Sequence, residues 1–280
     1  MSISSLDLQD IDILSDSLSL MGEDYAASTH DDGTVRYGEI VLNIAPKALT
    51  LLADQLFSPS LLLAEHIERG IIPLGGKTAV ELGAGCALPS ILAATLPTPP
   101  VVVVITDYPD KALLANLRIN LHANERLVAP DCSVVCIGHE WGTDCTPVLQ
   151  VHVNSDLDIF KSLQSGFDVV LLSDLLHFHN SHHAILASLI ALLSRTSSAR
   201  AYIASGTYTP PHVCANFLRI AAAAGLVLTE GHTEDEWLGS REVWRMGKLS
   251  TNDLGVRKAM CRWWIARWGE KILGTSSSQS

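Results

Sequence analysis

The amino-acid sequence predicts an α/β protein built on one doubly wound sheet, and three observations carry that expectation. From about residue 70 onward, short β-branched apolar runs alternate with longer helical stretches, as they do where parallel strands are joined by crossover helices. The chain of 280 residues is 48% hydrophobic and only 18% charged, with a mean hydropathy of +0.25. An ordinary soluble domain is about 25% charged, and strands covered on both faces lower that fraction. Finally, a hydrophobic run at 78–82 breaks into the turn Gly83-Ala84-Gly85 and then opens a helix. Such a turn lets the backbone approach a ligand closely.

Taken in order, the expected strands are 78–82, 101–106, 133–137, 167–173, 200–205, 226–231 and 242–247. Helices are expected between them at 88–95, 110–124, 182–194 and 211–225. Seven strands with four crossovers make a Rossmann-like sheet domain over 71–274. Residues 1–70 form an N-terminal extension expected to pack on it. There, Ser58-Pro59 fits a helix start, and 60–69 is apolar at helical spacing until Gly70 stops it. At the other end, 253–272 carries Trp263, Trp264 and Trp268 among Arg257, Arg262, Arg267 and Lys271, which reads as a surface-docking helix with a buried aromatic face. The end of the chain, 275–280, is expected to be a disordered tail.

Charge excludes several partners. Nineteen Lys plus Arg stand against 30 Asp plus Glu, a formal net charge of -11. Nucleic-acid binding needs a basic face, so no nucleic acid is expected as the main partner. No apolar run approaches the ~18 residues of a membrane span. Asp7, Asp10, Asp12 and Asp16, with no Lys or Arg among them, are the wrong charge for a leader. A cytoplasmic protein, also nuclear in one reading, is therefore expected. Six cysteines form no CxxC pair, and Cys132, Cys136 and Cys145 lack a fourth ligand at zinc-like spacing. Ordinary buried thiols and no metal are expected.

Two constellations carry chemistry. In the first, Leu88 stands where a dinucleotide fingerprint places its third small residue, which counts against NAD. A carboxylate at Glu81 would repel a pyrophosphate, yet it could accept hydrogen bonds from a ligand ammonium group or order the loop. Asp107 ends the next strand, 24 residues beyond Gly83. A carboxylate at that tip takes both ribose hydroxyls of an adenosine.

With these residues in view, ELGAGCALPS, TDYPD and Asn116-Leu117-Arg118-Ile119-Asn120 resemble family 16 of the seven-strand S-adenosylmethionine-dependent methyltransferases. Within it the chain is most similar to the fungal nicotinamide N-methyltransferase-like branch, which includes protein N-terminal and lysine methyltransferases acting on elongation factor 1-alpha. The resemblance runs from about Leu56 to the C-terminal region. It implies a class I methyltransferase fold and S-adenosyl-L-methionine as cofactor. It places Gly83, Ala84 and Gly85 against the cofactor's amino-acid part, with Glu81 close by, Asp107 and Tyr108 at the ribose, Trp141 beside the adenine and Ser173 at the cofactor edge. Phe57 stands where the family usually carries Trp, keeping an aromatic wall.

The second constellation spans 167–183, where four of the eleven histidines fall within seven residues. Relatives usually show Asp-Leu-Leu-Phe-Asn-His here, so Asp174 matches and His177 replaces an aromatic. For an amine acceptor, Asp174 could hold the ammonium while His177 or His179 removes its proton. For a hydroxyl acceptor the same histidines could act as the base. Two other readings stay open: capping of the next helix by Asn180 or Ser181, and a metal, for which only Asp174 supplies a carboxylate. Tyr208, in the loop after the fifth strand, is expected to wall the acceptor side.

The resulting expectation is a methyltransferase that N-methylates a protein lysine or N-terminal amine. The alternatives are a small-molecule N- or O-methyltransferase and a non-catalytic nucleoside-binding module, the latter motivated by Phe57 and His177.

Overall fold

The computed structural model describes residues 33–44, 57–151, 165–245 and 247–275. Most of the expected N-terminal extension, 1–32 and 45–56, and the tail from 276 on lie outside the described residues.

A seven-stranded sheet dominates. Its strands are β3 (Thr78–Leu82), β4 (Val102–Asp107), β5 (Ser133–Gly138), β6 (Val169–Ser173), β7 (Arg200–Gly206), β8 (Leu226–Glu230) and β10 (Cys261–Trp268). They run in the order β5-β4-β3-β6-β7-β10-β8. β3, β4, β5, β6 and β7 pair in parallel, and β10 is antiparallel to both neighbours. The chain starts in the middle at β3, winds outward to β5, returns to β6 and winds the other way. The reversal between β3 and β6 is the switch point at which such sheets bind ligands, outside the carboxyl ends of the strands.

Helices cover both faces. On one lie α1 (Ser58–Glu68), α2 (Leu88–Ala94) and α3 (Lys111–Asn124), on the other α5 (His182–Leu192) and α6 (Pro211–Ala223), with the short α4 (Thr146–Leu149) beside them. Strand residues alternate between the two cores. Ala79 and Val103 join the first, Val80 and Val104 the second. β3 and β4 are buried along their whole length, which is where the apolar, charge-poor composition is used.

The remaining elements depart from expectation. A hairpin of β1 (Thr34–Tyr37) and β2 (Ile40–Asn43) forms a three-stranded sheet with β9 (Val243–Trp244). The strand expected at 242–247 is therefore two residues long and belongs to this second sheet. The seventh strand of the main sheet is β10, which corrects the reading of 253–272 as one docking helix. Only α7 (Thr251–Ala259) and α8 (Glu270–Thr275) are helical there. The physical reason is a period of two. Cys261 and Trp263 bury on one face, and Trp264, Ala266 and Trp268 on the other, because β10 is an interior strand of a sheet with a core on each face, and only Arg267 near its end is exposed.

Two devices hold the small elements. Asn116, Asn120 and Asn124 recur every four residues and so line one face of α3. Asn124 accepts from Val41 N at 2.9 Å and donates to Val41 O at 2.7 Å, and Asn120 treats Asn43 alike at 2.7 and 2.9 Å. Their amides thus replace a neighbouring strand along β2. Lys258 of α7, fully buried, reaches Glu65 of α1 and Glu234 at 3.0 Å each. Two carboxylates and the Glu236 carbonyl at 2.8 Å compensate a charge that would otherwise be costly to bury.

Candidate functional site

The strand tips around the switch point gather most of the expected site residues. β3 ends in Gly83 and Gly85, both in the left-handed region at φ +60° and +56°. A Cβ on Gly83 would come within 2.8 Å of Leu175 and 2.9 Å of Trp141 Cζ2, whereas one on Gly85 would meet nothing within 4 Å. Position 83 is therefore glycine for conformation and for close packing, and position 85 leaves its side of the turn open.

Asp107, at the end of β4, faces this turn. Its carboxylate accepts from Gly85 N and from Tyr108 N, each at 2.7 Å. Burial pushes its pKa up while the two N–H donors pull it down. Each oxygen keeps lone-pair capacity for further donors, as two hydroxyls would be. Tyr108 is exposed beside it. Glu81 lies within β3, fully buried, below the turn. Its Oε2 accepts from the backbone N–H of Ser90 at 3.2 Å and from the Ser90 hydroxyl, and its Oε1 has no hydrogen-bond partner among the described residues. Burial raises its pKa to about 8, so it is mainly protonated at neutral pH and anchors the start of α2 to the strand.

Trp141 projects from the loop after β5 onto Gly83, with Phe178 edge-on at 5.3 Å between ring centroids. At the end of β6, the Ser173 hydroxyl is buried without a partner among the described residues. Asp174 follows in the left-handed region at φ +62°, a conformation that Asp tolerates better than most residues do. Its Oδ1 accepts from Gly206 N at 3.2 Å, and the Tyr208 hydroxyl donates to its Oδ2. Burial raises Asp174 to about 6 despite these two donors. Tyr208 is thus more than the expected pocket wall, because it holds the carboxylate.

The histidines divide. Both ring nitrogens of His177 are buried with no hydrogen-bond partner among the described residues, and burial lowers its pKa to about 4. His177 is therefore neutral at physiological pH and a weak base. His179 sits half-buried in a 3-10 turn. His182 is structural: its Nε2 donates to Leu176 O at 2.7 Å and its Nδ1 faces Asn216 at 3.2 Å. Of the two capping candidates, Ser181 is corrected. Ser181 occupies the N-cap of α5 but makes no side-chain cap bond, since the 3-10 turn already feeds the helix.

Phe57 comes from outside the strand tips, at the residue before α1. Its neighbour Ser58 receives a hydrogen bond from Arg257 at 3.2 Å, and Arg257 lowers the pKa of Tyr208 against the rise caused by burial. That contact ties the start of α1 to the Asp174 side. Sequence reading missed Arg257, whose only signal was its place in an aromatic and basic run.

Residues 39–206 match the protein family described as lysine methyltransferase. Several fungal proteins named protein N-terminal and lysine N-methyltransferase EFM7 are similar to this chain. The one from Gibberella zeae is 32% identical over 56% of this chain and 59% of its own length. That from Neurospora crassa is 28% identical over 78% and 74%, and that from Candida glabrata 30% identical over 69% and 76%. The chain thus spans about three fifths of the Gibberella relative. Among solved structures, a methyltransferase from Pyrococcus furiosus is 10% identical, covering 93% of this chain and 98% of that one, at a TM-score of 0.47.

Proposed function

The chain belongs to the lysine methyltransferase family, and from that premise we propose that it transfers a methyl group from S-adenosyl-L-methionine to an amine of a protein, either a lysine side chain or an N-terminus. The observation that carries this reading is the meeting, at one switch point, of a nucleoside-type half and an amine-type half. The Gly83–Gly85 turn, Asp107 and Trp141 make the first, and Asp174 with Tyr208 and His177 makes the second. The relatives' names support a protein acceptor.

The residues present fit the cofactor. Asp107 has acceptor capacity for the ribose hydroxyls, Gly85 leaves room beside the turn, and the unpartnered Ser173 hydroxyl and Glu81 Oε1 are polar atoms that a ligand could satisfy. Bound there, the cofactor supplies a methyl group already activated on a sulfonium. What remains is alignment and a neutral amine. Asp174 attracts the acceptor's ammonium and takes its proton, passing it on to solvent. Its pKa near 6 makes it a stronger base than an ordinary carboxylate. The Tyr208 hydroxyl and Gly206 N–H fix the orientation of that carboxylate. His177, held neutral, offers an uncharged ring nitrogen as acceptor in place of the base role expected from the sequence.

Calorimetric titration with S-adenosylhomocysteine tests the cofactor half, and the wild type is expected to bind. Labelled cofactor in a cell lysate tests the acceptor half. Label is expected in protein, and label confined to the small-molecule fraction would overturn the protein acceptor.

A further inference from the structure

We propose that Ser188, on α5, is a positioning residue that fixes Trp141 as a wall of the cofactor pocket. The inference rests on the cofactor reading above and adds the residue that makes the wall rigid. Trp141 sits in an irregular stretch between β5 and α4, where no ladder or helix holds the backbone. Hydrogen bonds do so instead: Thr143 N and Oγ1 close a turn on Glu140 O at 3.2 and 2.7 Å, and three more reach outside the loop. His139 N donates to Asp107 O at 2.8 Å. On the far side of the indole, Gly142 N donates to Ser188 Oγ at 2.9 Å, and His139 Nε2 meets the same oxygen at 2.9 Å. One hydroxyl therefore fastens the residues on both sides of Glu140-Trp141.

The donor count fits this arrangement. The Gly142 N–H uses one lone pair of the hydroxyl, which leaves its O–H free to donate to a neutral His139. Burial lowers the pKa of His139, favouring that neutral form. Packing agrees, because Ala184 lies one turn before Ser188 on the same helix face, and a Cβ on Gly142, at φ +79°, would come within 2.9 Å of Ala184 Cβ. The loop is thus seated backbone-on-helix, by small residues, where the hydroxyl can reach it. Ser188 is otherwise out of place. It is fully buried among Ile185, Leu189 and Leu192, and a hydroxyl in such surroundings is unfavourable unless bonded. The bonds it makes are those of the Trp141 loop.

A double-mutant cycle on S-adenosylhomocysteine affinity tests the proposal. Ser188→Ala is expected to raise Kd about 10-fold, the loss expected when one buried hydrogen-bond partner is removed. In a Trp141→Ala background the same change should cost nothing more, since coupled residues are non-additive. Ser188→Ala binding within twofold of the wild type, or additive losses in the cycle, would overturn the proposal. A merely structural role would lower Tm while leaving Kd unchanged, so both are measured on each variant. Should Ser188→Ala fail to fold by circular dichroism, His139→Gln removes the ring from the same hydroxyl and is read in the same cycle. Failure of the wild type to bind would instead remove the cofactor reading, which separates the two outcomes.

Discussion

Asp107 and Asp174 end the strands on either side of β3, both buried, yet they are held by different means. Asp107 receives two backbone N–H groups at 2.7 Å. Asp174 receives one at 3.2 Å and the phenol of Tyr208. Main-chain donors do not titrate and cannot leave, so the donors that hold Asp107 are preformed. The Asp174 side depends on side chains whose protons move, and its carboxylate sits near 6. On the proposed function, one half of the crevice binds the same ligand each time and the other exchanges a proton.

The sharpest way to break this contrast is to exchange the two failures. Asp174→Asn is expected to lower kcat by about 100-fold or more, a typical loss for a removed general base, with S-adenosylhomocysteine affinity within about twofold of the wild type. Asp107→Ala should do the reverse and weaken cofactor binding about 100-fold, since it strips a charged acceptor from the nucleoside half. Equal effects of both variants on binding, by calorimetry, would show the two halves to be one.

The next largest effect is on stability, and its sign is opposite to that on activity. Folding raises the pKa of Asp174 above its ordinary carboxylate value, so its favourable contribution is complete below about pH 4 and is lost as pH rises through about 6. At pH 7.5 the buried anion costs on the order of 3 kcal/mol. Asp174→Asn should therefore raise Tm at pH 7.5, and the gain should vanish near pH 4. A lower Tm at both pH values would contradict the account. A smaller effect sharpens the proton-exchanging half. Tyr208→Phe removes a donor that lowers the pKa of Asp174, so the acid limb of the rate profile should move above pH 6 and kcat should fall about 10-fold. The smallest effect belongs to Glu81. Already protonated at neutral pH, it should tolerate Glu81→Gln with less than about 1 kcal/mol lost at pH 7 by denaturant unfolding.

The same contrast explains what the sequence made legible. Gly83, Gly85 and Asp107 lie on consecutive strand tips, and their roles follow from backbone conformation and strand order, which local patterns encode. Tyr208 stands 34 residues from Asp174, and their meeting depends on β6 and β7 being neighbours. Sequence alone suggested a pocket wall and no partner. The low pKa of His177 is illegible in the sequence for a similar reason, because burial and not residue type sets it. Among the strands, the pattern of β3 marks its bounds to the residue, whereas the three tryptophans among arginines of β10 suit a docking helix as well as a strand. Its neighbours decide the matter, and they are distant in the chain. The β1–β2 hairpin did carry a signal, the alternation of Val35 and Tyr37 with Ile40 and Leu42, all buried.

The place of β10 bears on how the protein is made. Synthesis proceeds from the N-terminus, so β7 and β8 leave the ribosome before the strand that separates them. Until residues 261–268 follow, β7 presents an unpaired edge and β8 has no partner in the main sheet, the kind of exposed edge that recruits other chains. Cys261 pairs with Gly206, next to the Tyr208 loop, so the acceptor half is completed only when that late strand arrives. A nascent chain could thus assemble the Gly83–Asp107 half of the crevice early, while the Asp174–Tyr208 half waits until translation has passed β10.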